Sequence, residues 1–212
     1  SMPSPSAASA APAGALTHQP KPVGRGGLTL TETFRLPEAP DRVWQMLQDF
    51  PRVASCLPGV QLLSYQGGDH VEGRVDVAFG PISAGFTGEA DVTREPEQRR
   101  MTIRGGGNDP RSKSRATGTL VCAVAAEPQG GSRVDATIEI SLTGPLAQFG
   151  RSGLIKAFVS RLTAEFTENL RRLMAGEAPV ASPRQKLQIG AMAVALMRNY
   201  LERLKSRLLQ RR

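Results

Sequence analysis

The stretch VEGRVDVAFGPISAGFTGEADVTRE, residues 71–95, decides the fold. Val75 and Val77 alternate with Asp76, and Ala90 and Val92 alternate with Glu89 and Asp91, which is the period of half-buried strands. Gly80-Pro81 breaks the pattern and supplies a tight turn. The two runs, Val71–Phe79 and Ala84–Glu95, therefore read as an antiparallel hairpin. The same alternation repeats on either side. Val60–Tyr65 precedes the hairpin across Gly67-Gly68-Asp69. Arg100–Gly105, Arg115–Ala126 and Arg133–Leu142 follow it, separated by Glu95-Pro96-Glu97, a Gly105–Lys113 loop and Pro128–Gly131. Strands joined by turns alone form a meander, not βαβ units.

Further out, Leu28, Leu30, Phe34 and Leu36 alternate with polar residues, so Leu28–Leu36 is a seventh strand, ended by Pro37. Ala39–Phe50 reads as a short helix with Asp41 in its first turn and Val43, Trp44, Leu47 and Phe50 on one face. A second helical turn runs to Cys56, before Leu57-Pro58-Gly59. Beyond the last strand, Pro145 can open a long helix with apolar positions Leu154, Phe158, Leu162, Phe166, Leu170 and Leu173, stopped by Gly176 and Pro179. A curved antiparallel sheet must bury its apolar face, and this helix is the element long enough to cover it. The expected class is α+β: a seven-stranded curved antiparallel sheet around a long C-terminal helix, spanning residues 28–175.

With 212 residues, one domain of ordinary size plus flanking segments fits the length. Residues 1–27, rich in Ala and Pro, read as a disordered leader without the basic and apolar regions of a secretory signal. Residues 176–183 read as a linker and 184–212 as a separate amphipathic tail helix. The charge is unevenly divided. From Pro183 onward eight cations face one acid, leaving 19 cations against 18 acids in the rest of a chain of net charge +8. No run approaches the roughly 20 apolar residues of a membrane-spanning helix. Cys56 and Cys122 lie far apart without metal or redox spacing, as expected of a reduced, cytoplasmic chain.

Reactive groups are few. His18 falls in the leader and His70 beside a turn, neither in a HExxH, Cys/His or GxSxG setting, and no metal site is expected. Asp76, Glu89 and Asp91 sit at outward parity near Arg74 and Arg94 and read as surface charges. The two cysteines read as small buried hydrophobes. No catalytic residue is expected, and the chain is read as a non-enzyme.

Glu32-Thr-Phe-Arg-Leu-Pro, Pro40-Asp-Arg-Val-Trp, Cys56-Leu-Pro-Gly-Val, Phe79-Gly-Pro-Ile, Gly85-Phe-Thr-Gly and Gly144-Pro-Leu-Ala-Gln-Phe-Gly, in that order, resemble the CoxG family of carbon monoxide dehydrogenase subunits. That family is part of the START-like (SRPBCC) helix-grip superfamily. The resemblance implies a hydrophobic cavity between sheet and long helix. It also implies a non-catalytic accessory role to a molybdenum hydroxylase of the carbon monoxide dehydrogenase type, carrying a quinone or lipid at the inner face of the membrane. A START-like cyclase or hydrolase, and a ligand-free assembly factor, are the alternative readings. No covalently bound cofactor is expected.

A cavity also has a physical basis in the residues. Gly73, Gly85, Gly88, Gly105 and Gly118 leave little side-chain volume along the strands. The expected lining is Leu57 and Pro58 at the entrance, Val75, Val77, Phe79 and Phe86 on the hairpin, Leu120 and Leu142 further along, and Phe149, Leu154 and Phe158 at the helix. Each alone is equally at home in a dry core; the set points to a container. The cations Arg111, Lys113 and Arg115 in the loop near its mouth are placed to meet anionic lipid or a partner.

In the tail, Leu187, Val194, Met197, Leu201, Leu204 and Leu208 recur at helical spacing, with Arg184, Lys186, Arg198, Arg203, Lys205 and Arg207 around them. The uncharged run from Leu187 to Met197 would be about 16 Å long as a helix, roughly half a hydrocarbon core. It can lie on an anionic membrane surface or dock on a protein, and the two readings stand nearly equal. Nucleic acid is not an expected partner, since Tyr200 is the tail's single aromatic.

Overall fold

The structure is a computed structural model, describing residues 27–79, 82–151 and 153–180 and the backbone of Leu187–Gln188. Strand β1 (Leu28–Leu36) leads into helices α1 (Pro40–Gln48) and α2 (Phe50–Ser55). Six strands follow: β2 (Val60–Tyr65), β3 (His70–Phe79), β4 (Ile82–Glu95), β5 (Arg100–Asp109), β6 (Ser114–Ala126) and β7 (Ser132–Thr143). A 3-10 segment, Pro145–Arg151, then precedes helix α3 (Gly153–Met174). Neighbouring strands in the order β1-β7-β6-β5-β4-β3-β2 are all antiparallel. Hairpins join β2 through β7 in sequence, and β1 closes on β7 because α1 and α2 carry the chain across the end of the sheet.

Three expectations about the elements are corrected. The Gly105–Lys113 loop is mostly strand: β5 continues to Asp109 and β6 begins at Ser114, so only a tight turn with Lys113 at φ 52° remains. The buried Asp109 carboxylate organises that turn by accepting from the backbone N–H groups of Arg111 and Ser112, at 3.2 and 3.3 Å. The long helix begins at Gly153, because Pro145 opens a separate 3-10 segment pinned by a hydrogen bond from Leu146 N–H to the Ser114 hydroxyl, 3.1 Å. Finally, Leu187–Gln188 is a short strand, β8, parallel to β3 opposite Val77 and Ala78, so these two residues are extended where a helix was expected. The remaining tail positions, Arg184, Lys186, Val194, Met197, Arg198, Leu201, Arg203, Leu204, Lys205, Arg207 and Leu208, lie outside the described residues, as does the leader before Gly27.

Cross-strand pairing carries one parity from strand to strand, so the inward face can be read across the sheet in rows. One row runs through Phe34, Val134 and Val124, and the next through Ala136, Cys122 and Met101. These residues, with Val43, Trp44, Leu47 and Phe50 of the small helices and Leu170 and Met174 of α3, form the larger hydrophobic cluster. Phe34 meets Phe166 of α3 edge-on, with ring centroids 5.8 Å apart. A smaller cluster at the other end of the sheet joins Leu30, Val77, Ala84 and Leu146 to Ile155 and Val159 of α3. The helix thus touches both ends of the sheet, and the middle is left for the cavity.

The α2 end of the domain is locked by polar contacts. Asn169 of α3, buried, donates to the Cys56 carbonyl at 3.0 Å and accepts from Val180 N–H at 2.9 Å. Arg42 donates to the Met174 carbonyl at the C-terminus of α3, 3.0 Å. Arg94, expected on the surface, is at inward parity: it pairs with Asp69 and lies over the Phe50 ring, 5.5 Å from the centroid.

Candidate functional site: an apolar cavity between sheet and helix

Between the two clusters lies a cavity of about 410 Å³, within the usual range for small-molecule sites of roughly 300–1,000 Å³. Its floor comes from strand register. Gly73, Gly88, Gly107 and Ala116 are paired in one row across β3, β4, β5 and β6, and Ala90, Gly105 and Gly118 in the next. No inward side chain larger than a methyl rises from these positions, so sheet and helix cannot meet there. The glycines are also required by the backbone. A methyl built on Gly88 would overlap the Gly106 carbonyl oxygen, and one on Gly105 would overlap that of Glu89. The strands approach so closely there that a Cβ has no room.

The walls are Val71, Val75, Val77 and Phe86 on one side and Ile138, Ile140, Leu142 and Leu146 on the other, with Ile103 and Leu120 behind and Ile155 and Phe158 of α3 above. Of the expected lining, Val75, Val77, Phe86, Leu120, Leu142 and Phe158 are in place. Leu154 is not: the helix starts later than the sequence indicated, and its phase turns Ile155 inward instead. Leu57 and Pro58 do not line the cavity either. They form the turn before β2, where the Gly59 carbonyl accepts from Asp76 N–H at 2.8 Å and fastens the turn to β3. Gly85, expected among the volume-sparing glycines, is outward, in the space taken by the Arg74 guanidinium. The side chains of Phe79 and Phe149 lie outside the described residues.

The floor residues Gly107, Ala116 and Ala90 and the walls Ile103, Ile138 and Ile140 were missed. The signal was present: once β5 is extended to Asp109, the same alternation that makes Met101 inward reaches Gly107.

Val75, paired with Phe86 and inward-facing, is 38% exposed. Glu89 and Glu139 border the cavity, but strand parity directs their side chains to the outer face, and that of Glu89 is 72% exposed. No carboxylate, imidazole or thiol from an inward position among the described residues converges on the space, and no group of three or more metal-ligating side chains occurs among them.

Titrating groups elsewhere are structural. Burial raises the Cys122 thiol to about 11, and burial also raises that of Cys56. For Asp109 burial works upward but is outweighed by hydrogen bonds from Ser112, Arg111 and Gly85, and the carboxyl stays below its ordinary range. His70, on the exposed face, is raised by its hydrogen bond to Asp91, 3.0 Å, reinforced by Glu89 and Glu72.

A curved antiparallel sheet closed on one long helix, with an apolar cavity held between them, defines a helix-grip protein. The model of the CoxG family of carbon monoxide dehydrogenase subunits matches residues 33–175, and the chain belongs to that family. Among solved structures, a conserved protein from Geobacillus kaustophilus is 14% identical with a TM-score of 0.61, the match covering 70% of this chain and 96% of that one. The Zhui aromatase/cyclase from Streptomyces sp. R1128 is 16% identical with a TM-score of 0.51, covering 72% of this chain and 99% of that one. At these identities the likeness shows the fold alone. No curated protein matches the chain. No helix among the described residues is long and apolar enough to cross a membrane.

Proposed function

We propose that the protein is a non-catalytic carrier that holds an apolar small molecule, a quinone or a lipid, and serves a molybdenum hydroxylase of the carbon monoxide dehydrogenase type at the membrane. The observation that carries the reading is the cavity of about 410 Å³ with apolar walls and a floor bearing nothing larger than a methyl. Such a space is not closed by collapse, because the floor glycines are fixed by neighbouring backbone. Burying apolar ligand surface in it contributes roughly 25 cal/mol per Å². Membership of the CoxG family supports the choice of partner. The basic tail, residues 184–212, is the expected tether, either to anionic lipid or to the partner.

Filling the cavity tests the container. Ala116→Leu points a larger side chain from the floor into empty space. The variant should melt within a few degrees of the parent yet lose about tenfold or more in affinity for added quinone. Native mass spectrometry and solvent extraction should find an apolar molecule in the parent and none in the variant. An empty parent that also refuses added quinone and lipid would end the carrier reading. A cyclase or hydrolase would instead need polar groups converging inside the cavity, for which no inward residue among those described is a candidate.

A further inference from the structure

An uncovered strand edge offers its N–H and C=O groups to any extended segment, so each edge of a sheet needs an answer. β1 packs against α3 and is tied to it by the hydrogen bond from the Ser160 hydroxyl to Glu32, 2.7 Å. The outer edge of β2 is broken by a bulge between Leu62 and Ser64. A third edge belongs to β3, because β2 pairs with it only from Val71 to Val75. The next N–H on that side, of Asp76, goes to the Gly59 carbonyl, and the chain before Gly59 belongs to α2 and its turn. Pairing with β4 continues to Phe79 without a register shift, so alternation points the N–H and C=O of Ala78 to the same side as the Asp76 N–H. No residue of β2 is there to meet them.

β8 lies on this stretch, parallel to it, with Leu187 opposite Val77 and Gln188 opposite Ala78. Val77 and Ala78 are both buried, although Ala78 is at outward parity and β2 has ended. The reach is short. Asn169 holds Val180 at the α2 end of the domain, by the Cys56 carbonyl, and Cys56 is three residues before Gly59. Seven residue steps separate Val180 from Leu187, a span of at most about 25 Å. The tail of the same chain therefore supplies the strand.

Val77 is also a wall of the cavity. We infer that residues 187–188 are a strap: the chain's own tail completes the sheet edge at Val77–Ala78, holds the end of β3 in place and so slows the exchange of whatever the cavity contains. With the strap released, β3 beyond Asp76 is held by β4 alone, and the Val77 wall is free to move with it. A ladder of two residues suits a fastening that opens, because segments held by few backbone bonds open locally while the rest of the fold persists. The slowing rests on the carrier reading; the strap does not.

The full chain with Leu187→Pro tests both parts. Proline has no N–H, and this register directs the Leu187 N–H at the Asp76 carbonyl. Leu187→Thr keeps that donor and a residue at home in strands. By NMR-detected hydrogen exchange on ligand-free protein, the Ala78 amide should exchange about tenfold or more faster in the proline variant than in the parent, with the threonine variant close to the parent. The Asp76 amide, held by Gly59, should exchange alike in all three and reports that the domain is folded. Decylubiquinone loaded beforehand should leave the proline variant about threefold or more faster than the parent.

Equal exchange at Ala78 in parent and proline variant would overturn the strap. So would protection that rises with protein concentration, which assigns the strand to a second copy's tail. Equal release of the quinone from parent and proline variant would overturn the slowing. If none of the three proteins holds decylubiquinone or a co-purified lipid, the carrier reading fails and the slowing with it, while a protected Ala78 amide in the parent leaves the strap standing.

Discussion

Asn169 ties three parts of the molecule through one amide: α3 carries it, the α2 terminus receives its N–H at the Cys56 carbonyl, and the chain beyond α3 donates Val180 N–H to its oxygen. Asn169→Ala leaves a buried acceptor and a donor without partners and should cost about 1–3 kcal/mol in urea unfolding. Asn169→Asp keeps an acceptor for Val180 N–H, but once ionised it loses the donor to the Cys56 carbonyl and sets a negative charge against it, so it should be clearly less stable than the parent at neutral pH and recover in acid, where the protonated carboxyl can donate again. Asp109 makes a pH prediction with a definite sign. Its folded carboxyl lies below the ordinary carboxylate range, so its contribution is present above about pH 4 and is lost as pH falls through the depressed folded value. The melting-temperature gap between parent and Asp109→Asn should be constant above about pH 5 and narrow in acid. A gap that widens in acid would contradict the assignment.

At the level of elements, the floor of the sheet separates two kinds of glycine. Gly88 has no space for a Cβ because the Gly106 carbonyl occupies it, whereas the nearest atom to a Cβ on Gly107 is the Thr87 carbonyl oxygen at 3.1 Å. Gly88→Ala must push β4 and β5 apart and should destabilise by roughly 1–3 kcal/mol. Gly107→Ala needs a shift of a few tenths of an ångström and should cost clearly less. Equal losses in guanidinium titrations of the two variants would show that β4 and β5 have room for a methyl at Gly88 after all. Strand parity was legible because its period is local: Val75, Val77, Phe86, Leu120 and Leu142 could be placed inward from their neighbours alone. The start of α3 was not, since the handover from the 3-10 segment to the α-helix depends on the Leu146–Ser114 bond between residues far apart in sequence, and one residue of phase separates Leu154 from Ile155.

For the whole molecule, the two hydrophobic clusters are held apart by the floor, and α3 spans both. Stability and capacity are therefore separable. Leu170, fully buried, belongs to the α2-side cluster, whereas Val77, Leu146 and Ile155 of the smaller cluster line the cavity. Ala116→Leu is the variant that distinguishes them, expected to change ligand uptake without unfolding the domain.

The amino-acid sequence determined the class of fold, the meander and its turns, the inward parity of most strands, and the concentration of charge in residues 183–212, because each depends on neighbours a few residues apart. Tertiary structure decided where the cavity lies. The glycine rows exist only when Gly73, Gly88 and Gly107 from three strands are brought into register. A cavity is a property of facing surfaces. A run of residues can show what each surface is made of, but the gap between them is set by how closely the backbone lets the two approach.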